Sequence, residues 1–483
     1  MNKINALVAF GRWLREPFKN INAACQIPCP PPLGSGGRIN ELRPFCLYLT
    51  NEKFVTDSAA PFEIEKAKIQ LKKILLLQGP VGPFFSDLHK ALLAQGFGVQ
   101  RVAFNSADRL FSTRDECVRF SGGLNEWETW LRFELSRNTP DAIVLFGSNR
   151  PAHKLARHIA EIYDINVISL EEGYLRAGYI TCENGGNNQH SSLSHWQPGT
   201  EGHGDAHPSP PAPLASSFAT MSLWGALYYL VRDIFSQTSD EALFHRRRER
   251  ALSLAYSWSA HIIRRAVAKV LEARRVRNLR VNRGYTLVPL QVPSDSQLVV
   301  ASRGWNSHRL INACLLALSR SGSHQRVVFK LHPLDRGGAS LKRDILRRTR
   351  QLGLSSRRVQ VLHTGRLGEL ARHASGMVVI NSTSAFSALH HNVPVLVLGE
   401  AVYRHEDVVT TGKTEADVEA FFKLRHAKQR DVIDDFLGCL KAGHLIPGDF
   451  YAAASGRQVA IAGIIAKINQ LKASSGLSSG AKE

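Results

Sequence analysis

No run of this sequence reaches the roughly 18–20 consecutive apolar residues that a membrane-spanning helix needs. The seven cysteines contain no Cys-x-x-Cys and no zinc-ligand spacing, which argues against a disulfide framework and fits a reducing compartment. The opening MNKINALVAFGRWLREPFKN has only a short apolar patch, broken by Arg12 and Arg15, and lacks the apolar core and cleavage site of a secretion signal. The expected location is therefore cytoplasmic, free or lying on a membrane. Acidic side chains are also scarce: 41 stand against 61 lysines and arginines, a formal charge of +20. That surplus favours a polyanionic partner, whether nucleic acid, an anionic membrane face or a phosphorylated substrate, without choosing among them. At 483 residues the chain exceeds what one core serves, so two or more domains are expected.

Residues 1–68 read as an extension, with CQIPCPPPLGSGG too rich in proline and glycine to pack. Strand and helix then alternate. Lys73–Leu77, Phe97–Phe104, Asp141–Phe146 and Val167–Leu170 are buried-strand runs, with helical spacing after Phe84 and over Pro151–Tyr163. This pattern predicts a parallel, doubly wound sheet over 69–215, with a flexible polar loop at 187–216. His190, His195, His203 and His207 in that loop lack a supporting carboxylate or cysteine framework, so no metal site is assigned. Residues 216–284 read as a helical basic linker. There the apolar, aromatic Met221–Phe235 precedes the clusters His245–Arg248, Arg264-Arg265 and Arg274–Arg283. This suits either a membrane-surface helix or an inter-domain helix with solvated arginines. A second alternating block spans 285–415, with strands expected at Thr286–Gln291, Leu298–Ser302, Gln325–Leu331, Val359–Leu362, Gly376–Ile380 and Pro394–Leu398. Residues 416–483 read as C-terminal helices and a tail.

Candidate chemistry gathers where strands end, since ligands of open parallel sheets sit beyond the carboxyl ends of the strands. In Ser169–Thr181, SLEEGYLRAGYIT, Glu171 and Glu172 follow a buried run and precede Gly173. Such carboxylates serve as a general base or a nucleophile, or they are ordinary acids of a solvated loop. Gln78 and Gly79 open a glycine-bearing loop that is neither a Walker loop nor G-x-G-x-x-G; it either approaches an anion or is a tight turn. In the second block, Ser382, Thr383 and Ser384 lie between strand and helix, as a phosphate seat or a plain N-cap. His332 and Pro333 end a neighbouring strand, where the histidine can donate to a phosphate or assist a leaving group. Both motifs fall at carboxyl ends of strands in one domain and so can face one crevice. Two Rossmann-like α/β domains facing each other, one holding a nucleotide and the other an acceptor, describe a GT-B-type glycosyltransferase.

Several words of the sequence point further: LLLQGPVGPFF (Leu75–Phe85), FNSADRLF (Phe104–Phe111), EEGYLRAGYIT (Glu171–Thr181), LVPLQVPSDSQ (Leu287–Gln297), KLHPLDRG (Lys330–Gly337) and VVINSTSAFSALHHNVPVLVLG (Val378–Gly399). In these the chain resembles the capsular polysaccharide biosynthesis/export family of Gram-negative bacteria, whose members are β-Kdo (3-deoxy-manno-octulosonic acid) transferases. It resembles in particular the enzyme that starts the Kdo linker on phosphatidylglycerol. The family is in turn similar to bacterial sialyltransferases in a D/E-D/E-G, an H-P and an S-S/T, here Glu171-Glu172-Gly173, His332-Pro333 and Ser382-Thr383. Departures from the family pattern are Ala177 after GYLR, Leu331 before the H-P, and glutamate at 172.

The resemblance implies CMP binding by the H-P and S-T motifs. It also implies retaining transfer from CMP-β-Kdo, with Glu172 as the reacting carboxylate and Glu171 its neighbour. Arg176, Lys330 and Arg336 are expected at the sugar carboxylate or the phosphate. No metal or cofactor is invoked, because arginine, histidine and helix N-termini can stabilise leaving CMP. The expected partners are CMP-Kdo, a phosphatidylglycerol-type lipid, the anionic inner face of the inner membrane and other capsule assembly or export proteins, but no nucleic acid. Two rivals stand beside this reading: a CDP-glycerol-type polyol-phosphate transferase, and a non-catalytic scaffold of the capsule export complex.

Overall fold

A computed structural model describes residues 72–112, 117–175, 178–199, 218–235, 243, 251–292, 298 and 301–478. The expectations for the extension at 1–68, Arg176, His203, His207, the His245–Arg248 cluster and the later part of the 187–216 loop fall outside the described residues.

The first sheet grows from apolar runs that are covered on both faces, the condition for a parallel sheet. Ile74, Leu75, Leu76 and Leu77 are all buried, as are Ile143, Val144 and Leu145. In order come β1 (Lys73–Leu76), α1 (Phe84–Ala94), β2 (Gly98–Ala103), β3 (Val118–Arg119), α2 (Leu124–Arg137), β4 (Ala142–Phe146), α3 (Pro151–Ile162), β5 (Asn166–Glu172) and β6 (Tyr179–Asn184). Pro151 starts α3, where its missing N–H costs nothing. Buried Ala152, Ala156, Ile159 and Ala160 form the face that α3 lays on the sheet.

Helices α4 (Phe218–Phe235), α5 (Ala251–Leu271) and α6 (Ala273–Val281) follow, as expected of the linker. The second sheet is built from β7 (Thr286–Pro289), α7 (Ser307–Ser319), β8 (Val327–Lys330), α8 (Gly338–Gln351), β9 (Val359–Leu362), α9 (Leu367–His373), β10 (Gly376–Val379), α10 (Ala385–His390), β11 (Val395–Val397), β12 (Thr410–Thr411) and α11 (Glu415–Lys423). The chain ends in α12 (Arg430–Cys439), a five-residue π turn at Leu440–His444, β13 (Leu445–Pro447) and α13 (Ala454–Ser478).

The second sheet runs β12-β11-β10-β7-β8-β9, parallel throughout. The first runs β13-β6-β5-β4-β1-β2-β3, with β1 to β5 parallel. Each sheet therefore reverses its winding once, between β1 and β4 and between β7 and β10. These are the topological switch points at which doubly wound sheets bind ligands. The expected pair of Rossmann-like α/β domains is present.

Three expectations are corrected and one is extended. The solvated-loop alternative for Glu171 and Glu172 fails: both lie in β5, and β6 pairs antiparallel with it, Glu172 opposite Ile180 and Glu171 opposite Thr181. The head of the 187–216 loop is ordered and packed, with Ser191, Leu193 and Trp196 buried and two 3-10 turns at Asn188–His190 and Ser192–His195. Leu298 is helical rather than part of a strand. Residues 416–483 hold a strand as well as the expected helices: β13 adds to the edge of β6, and Ile461, Ile464 and Ile468 of α13 enter the core formed with Phe84, Phe85 and Leu88. The chain thus returns to its first sheet after completing the second.

Candidate functional site

At the first switch point, loops from neighbouring strands meet. Gln78 follows β1 and Arg150 follows β4. Arg150 donates from Nη1 to Gln78 Oε1 at 2.8 Å and to the Gly79 carbonyl at 3.3 Å, and its guanidinium lies over Phe146. Gln78 Nε2 donates to both Asp108 oxygens at 2.9 and 3.0 Å. The Tyr228 hydroxyl of α4 donates to Asp108 Oδ1 at 2.7 Å and accepts from Asn105 Nδ2. Gln78 and Gly79 therefore support an arginine. Gly79 is glycine because an added Cβ would stand 2.4 Å from the Phe85 ring, which favours the tight-turn reading.

Glu172 ends β5 one strand away. Burial, and then the Glu172 charge, lift the Tyr451 phenol well above its ordinary range, with Arg150 acting in the opposite sense. Glu172, Arg150 and Tyr451 thus form one electrostatic neighbourhood. Glu171 is not part of it. Successive strand residues point to opposite faces, and Glu171 Oε2 accepts from Asn188 Nδ2 at 2.8 Å. The two glutamates are not a facing dyad, which corrects their reading as a pair. Gly173 makes the turn behind them, since a Cβ there would stand 2.2 Å from the Tyr179 carbonyl oxygen.

Beside Glu171, on the same face, lies Glu183, only 2% exposed. It accepts from the Tyr174 hydroxyl at 2.8 Å, from His444 Nδ1 at 2.7 Å and from the Ser191 hydroxyl. Three donors compensate its burial. Its role is to tie β6, the Ser191 turn and the approach to β13 together.

The second switch point has its own bridge. Gln291, just beyond β7, donates to Asn381 Oδ1 at 2.9 Å, just beyond β10. Ser382, Thr383 and Ser384 follow, half-buried. Ser384 stands at the N-cap of α10, but its side chain caps nothing. Ser382 Oγ instead donates to Ser384 Oγ at 2.9 Å, and the Tyr403 hydroxyl holds the Ser382 carbonyl at 2.7 Å. The plain N-cap reading fails here. The dipole reading weakens too, since α10 has only six residues to align. The Ser384 N–H is itself taken by Ser382 Oγ at 3.3 Å, so what the segment offers an anion is its hydroxyls.

His332 follows β8. Its Nδ1 accepts the Leu334 N–H at 3.1 Å, so the neutral ring carries its proton on Nε2 and presents a donor. The turn is clamped by α5: His261 and Arg265 donate to the Pro333 carbonyl at 2.8 and 3.2 Å, and Arg264 donates to the Arg336 carbonyl at 3.1 Å. Two predicted ligands have partners within the protein. Arg336 donates to the Ser257 hydroxyl at 2.7 Å and lies over Trp258, against the linker helix. Lys330 is 6% exposed and donates to the Leu331 and His363 carbonyls at 2.9 and 3.2 Å; burial pushes its pKa down to about 8. A strand-end lysine next to an H-P turn looked like an anion ligand in sequence, but here it satisfies backbone carbonyls that burial would otherwise orphan.

The halves meet through the turn that follows Glu172. Tyr174 packs on Phe386, with ring centroids 5.9 Å apart. Trp196 packs on Phe436 at 5.1 Å, and His405 Nε2 holds the Leu193 carbonyl at 2.8 Å. Tyr174, Leu193 and Trp196 share one buried cluster with Tyr285, Met377 and Phe386 of the second sheet. The glutamate turn and the serine segment thus stand two residues on either side of one aromatic contact.

A family model described as capsule polysaccharide biosynthesis protein matches residues 141–451, which hold β5, both switch-point arginine and serine loops, and the His332 turn. This chain belongs to that family. The chain is 33% identical over 358 residues to the capsule polysaccharide export protein KpsS of Escherichia coli, covering 73% of this chain and 91% of that one. It is 32% identical over 346 residues to the capsule polysaccharide modification protein LipB of Neisseria meningitidis, covering 69% and 81%. Among solved structures, the beta Kdo 2,7 transferase KpsC of Thermosulfurimonas dismutans aligns over 82% of this chain and 99% of its own, at 13% identity and a TM-score of 0.35.

Several residues around the site escaped the reading from sequence: Arg150, Asn188, Glu183, Gln291 and Tyr451. Arg150 had a usable signal. Ser148-Asn149-Arg150 fills the gap between a buried strand and a proline-started helix, the position that singled out Glu172 and His332. Tyr451 had none, because only the return of the tail to the first sheet brings it to Glu172.

Proposed function

We propose that this protein is a retaining glycosyltransferase that moves Kdo from CMP-Kdo to a phosphatidylglycerol-type lipid during capsular polysaccharide biosynthesis and export. The observation that carries the reading is the Tyr174–Phe386 contact, which sets the Glu172 turn against the Ser382–Ser384 segment across the two domains. In this reading Ser382, Thr383, Ser384 and the His332 Nε2–H donate to the phosphate of CMP. Their charge-assisted bonds stabilise it as the bond to the anomeric carbon breaks. Retention requires two inversions. Glu172 attacks the anomeric carbon first and CMP leaves with the bonding pair. The lipid hydroxyl then attacks the same carbon, Glu172 leaves as the free carboxylate with the bonding pair, and the hydroxyl proton passes to the phosphate of the departed CMP.

The linker supports work at a membrane. Tyr256, Ile262, Ile263, Val267, Val270 and Leu271 of α5 are exposed, and Arg274, Arg275 and Arg277 are exposed on α6. An apolar face next to arginines suits the anionic inner face of the inner membrane, where capsule assembly partners would also be met.

The test is incubation of the purified protein with CMP-Kdo and phosphatidylglycerol, followed by mass spectrometry of the lipid and assay of released CMP. A lipid product heavier by Kdo is expected. Release of CMP from CDP-glycerol alone would point to a polyol-phosphate transferase. Absence of transfer from any CMP-sugar would leave a scaffold.

A further inference from the structure

We infer that His261 and Arg265 of the linker helix are positioning residues for the CMP side of the site: they set which ring nitrogen of His332 carries the proton. The inference rests on the reading of His332 above as a hydrogen-bond donor to the phosphate, and says what makes it one. Both residues donate to one oxygen, the Pro333 carbonyl, His261 from Nε2 at 2.8 Å and Arg265 from Nη1 at 3.2 Å. A carbonyl only accepts, so His261 carries a proton on Nε2. The peptide group that holds this carbonyl also holds the Leu334 N–H. It is planar and trans, so its C=O and N–H point in opposite directions. With the oxygen held toward α5, the N–H is turned away from the helix, and there it donates to His332 Nδ1 at 3.1 Å. Bonds accepted by the carbonyl also polarise the N–H and strengthen its donation. The lone pair of Nδ1 is thereby occupied, and the proton of the neutral ring stays on Nε2.

The second observation is the face of α5 that makes this contact. Ser257, Trp258, His261, Arg264 and Arg265 recur at helical spacing and so share one side of the helix. All five meet the segment from Pro333 to Arg336. Arg264 donates to the Arg336 carbonyl at 3.1 Å. Arg336 donates to the Ser257 hydroxyl at 2.7 Å and lies over Trp258, whose ring stands edge-on to that of His261 with centroids 5.7 Å apart. The peptide plane between Pro333 and Leu334 is therefore bonded at both ends, and it turns only by breaking bonds on each side. Once turned, it leaves Nδ1 without the N–H, and either ring nitrogen then holds the proton. The tautomer protonated on Nδ1 aims the Nε2 lone pair at a phosphate oxygen, which repels it. The linker helix thus decides whether His332 offers the phosphate a proton or a lone pair.

Two readouts test this, and neither needs turnover. Isotope-labelled histidine in the full-length protein reports tautomers by long-range proton–nitrogen NMR, with the His332 signals assigned by their loss in His332→Gln. Calorimetry with CMP reads the site itself. In the wild type, His332 is expected with Nδ1 unprotonated. His261→Phe keeps a ring without the donor, and together with Arg265→Met it removes both partners of the Pro333 carbonyl. That pair is expected to show a mixture of the two tautomers and to weaken CMP by about tenfold, the size of one lost charge-assisted bond. His261→Gln retains an N–H and is expected to recover most of the affinity that His261→Phe loses. Arg265→Met alone, at a half-buried position, is expected to give a smaller shift in the same direction, which keeps the test usable if the pair does not fold. A single Nε2–H tautomer surviving in every variant would overturn the inference. So would CMP weakened equally by His261→Gln and His261→Phe, which would make the packing of the ring, and not its bond, the cause. Wild-type protein that binds no CMP would remove the phosphate role from His332, while the tautomer measurement still decides whether the helix sets the ring.

Discussion

The ring of Tyr174 lies 5.9 Å from that of Phe386, tilted by 33°, while its hydroxyl donates to Glu183 at 2.8 Å and accepts the Asn188 N–H at 2.6 Å. One side chain is thereby anchored in the first sheet and packed on the second. Burial, with the charges of Glu183 and Glu171, holds its phenol well above the ordinary range, so it remains a donor throughout the working pH range. Tyr174→Phe keeps the ring and removes that donor from a buried carboxylate, a loss of about 1–3 kcal/mol. Denaturant unfolding should show that loss, and transfer should fall with it, because the ring that packs on Phe386 is no longer anchored to Glu183 and Asn188. Unchanged stability and unchanged transfer would remove Tyr174 as the link between the halves.

The two glutamates separate cleanly. Glu172→Gln removes the reacting charge and is expected to lower kcat by at least about 10²–10⁴-fold, the range for a positioned acid–base group. Glu171→Gln keeps an amide oxygen for Asn188 Nδ2, so its effect should stay within about tenfold. Transfer assays on both variants decide between them, and the reverse ranking would move the chemistry to the Asn188 face.

How much of this was legible in sequence depended on whether the signal was local. Strands such as Ile74–Leu77 and Val359–Leu362 declare themselves by continuous burial, and Glu172, His332 and Ser382 by standing where such runs stop. The pairing of Glu171 with Glu172 was misread because adjacency in sequence implies proximity, whereas a strand alternates its faces. The partners of Lys330 and Arg336 were hidden for a related reason. Sequence shows a cation near a strand end but not the backbone carbonyls of Leu331 and His363, or the Ser257 hydroxyl, that engage it. The hairpin β5–β6 and the return of β13 were hidden because edge pairing depends on segments about 260 residues apart, such as Thr181 and Leu445.

Lys330 also predicts a pH dependence. Its pKa falls from an ordinary 10.5 to about 8 in the folded chain, through burial first and the Arg265 charge second. Below pH 8 both folded and unfolded chains carry the proton, and the folded one bears the full cost of burying it. Between about 8 and 10.5 the unfolded chain binds more protons, so this site's contribution to stability rises with pH. At about 1.4 kcal/mol per pH unit the whole relief is on the order of 3 kcal/mol. The stability of wild type relative to Lys330→Met should therefore increase from pH 7.5 to 10 (roughly the span between the two pKa values). A flat or falling difference would mean that the ammonium is not desolvated in solution.

The linker makes the last prediction. Val270 and Leu271 are 76% and 71% exposed at the end of α5, and Arg274 and Arg275 follow on α6. The His332 turn is clamped by other residues of α5, His261, Arg264 and Arg265. Changing them thus separates the membrane face from the donor loop carried on the same helix. Val270→Ser with Leu271→Ser should weaken flotation with phosphatidylglycerol vesicles at any salt concentration, because it removes apolar area. Arg274→Gln with Arg275→Gln should weaken it on the order of tenfold at low salt, since each arginine near an anionic surface contributes about 1 kcal/mol, and much less at high salt. Transfer to a soluble short-chain acceptor should be preserved in both pairs. Vesicle binding unaltered in both would move the membrane face off this linker.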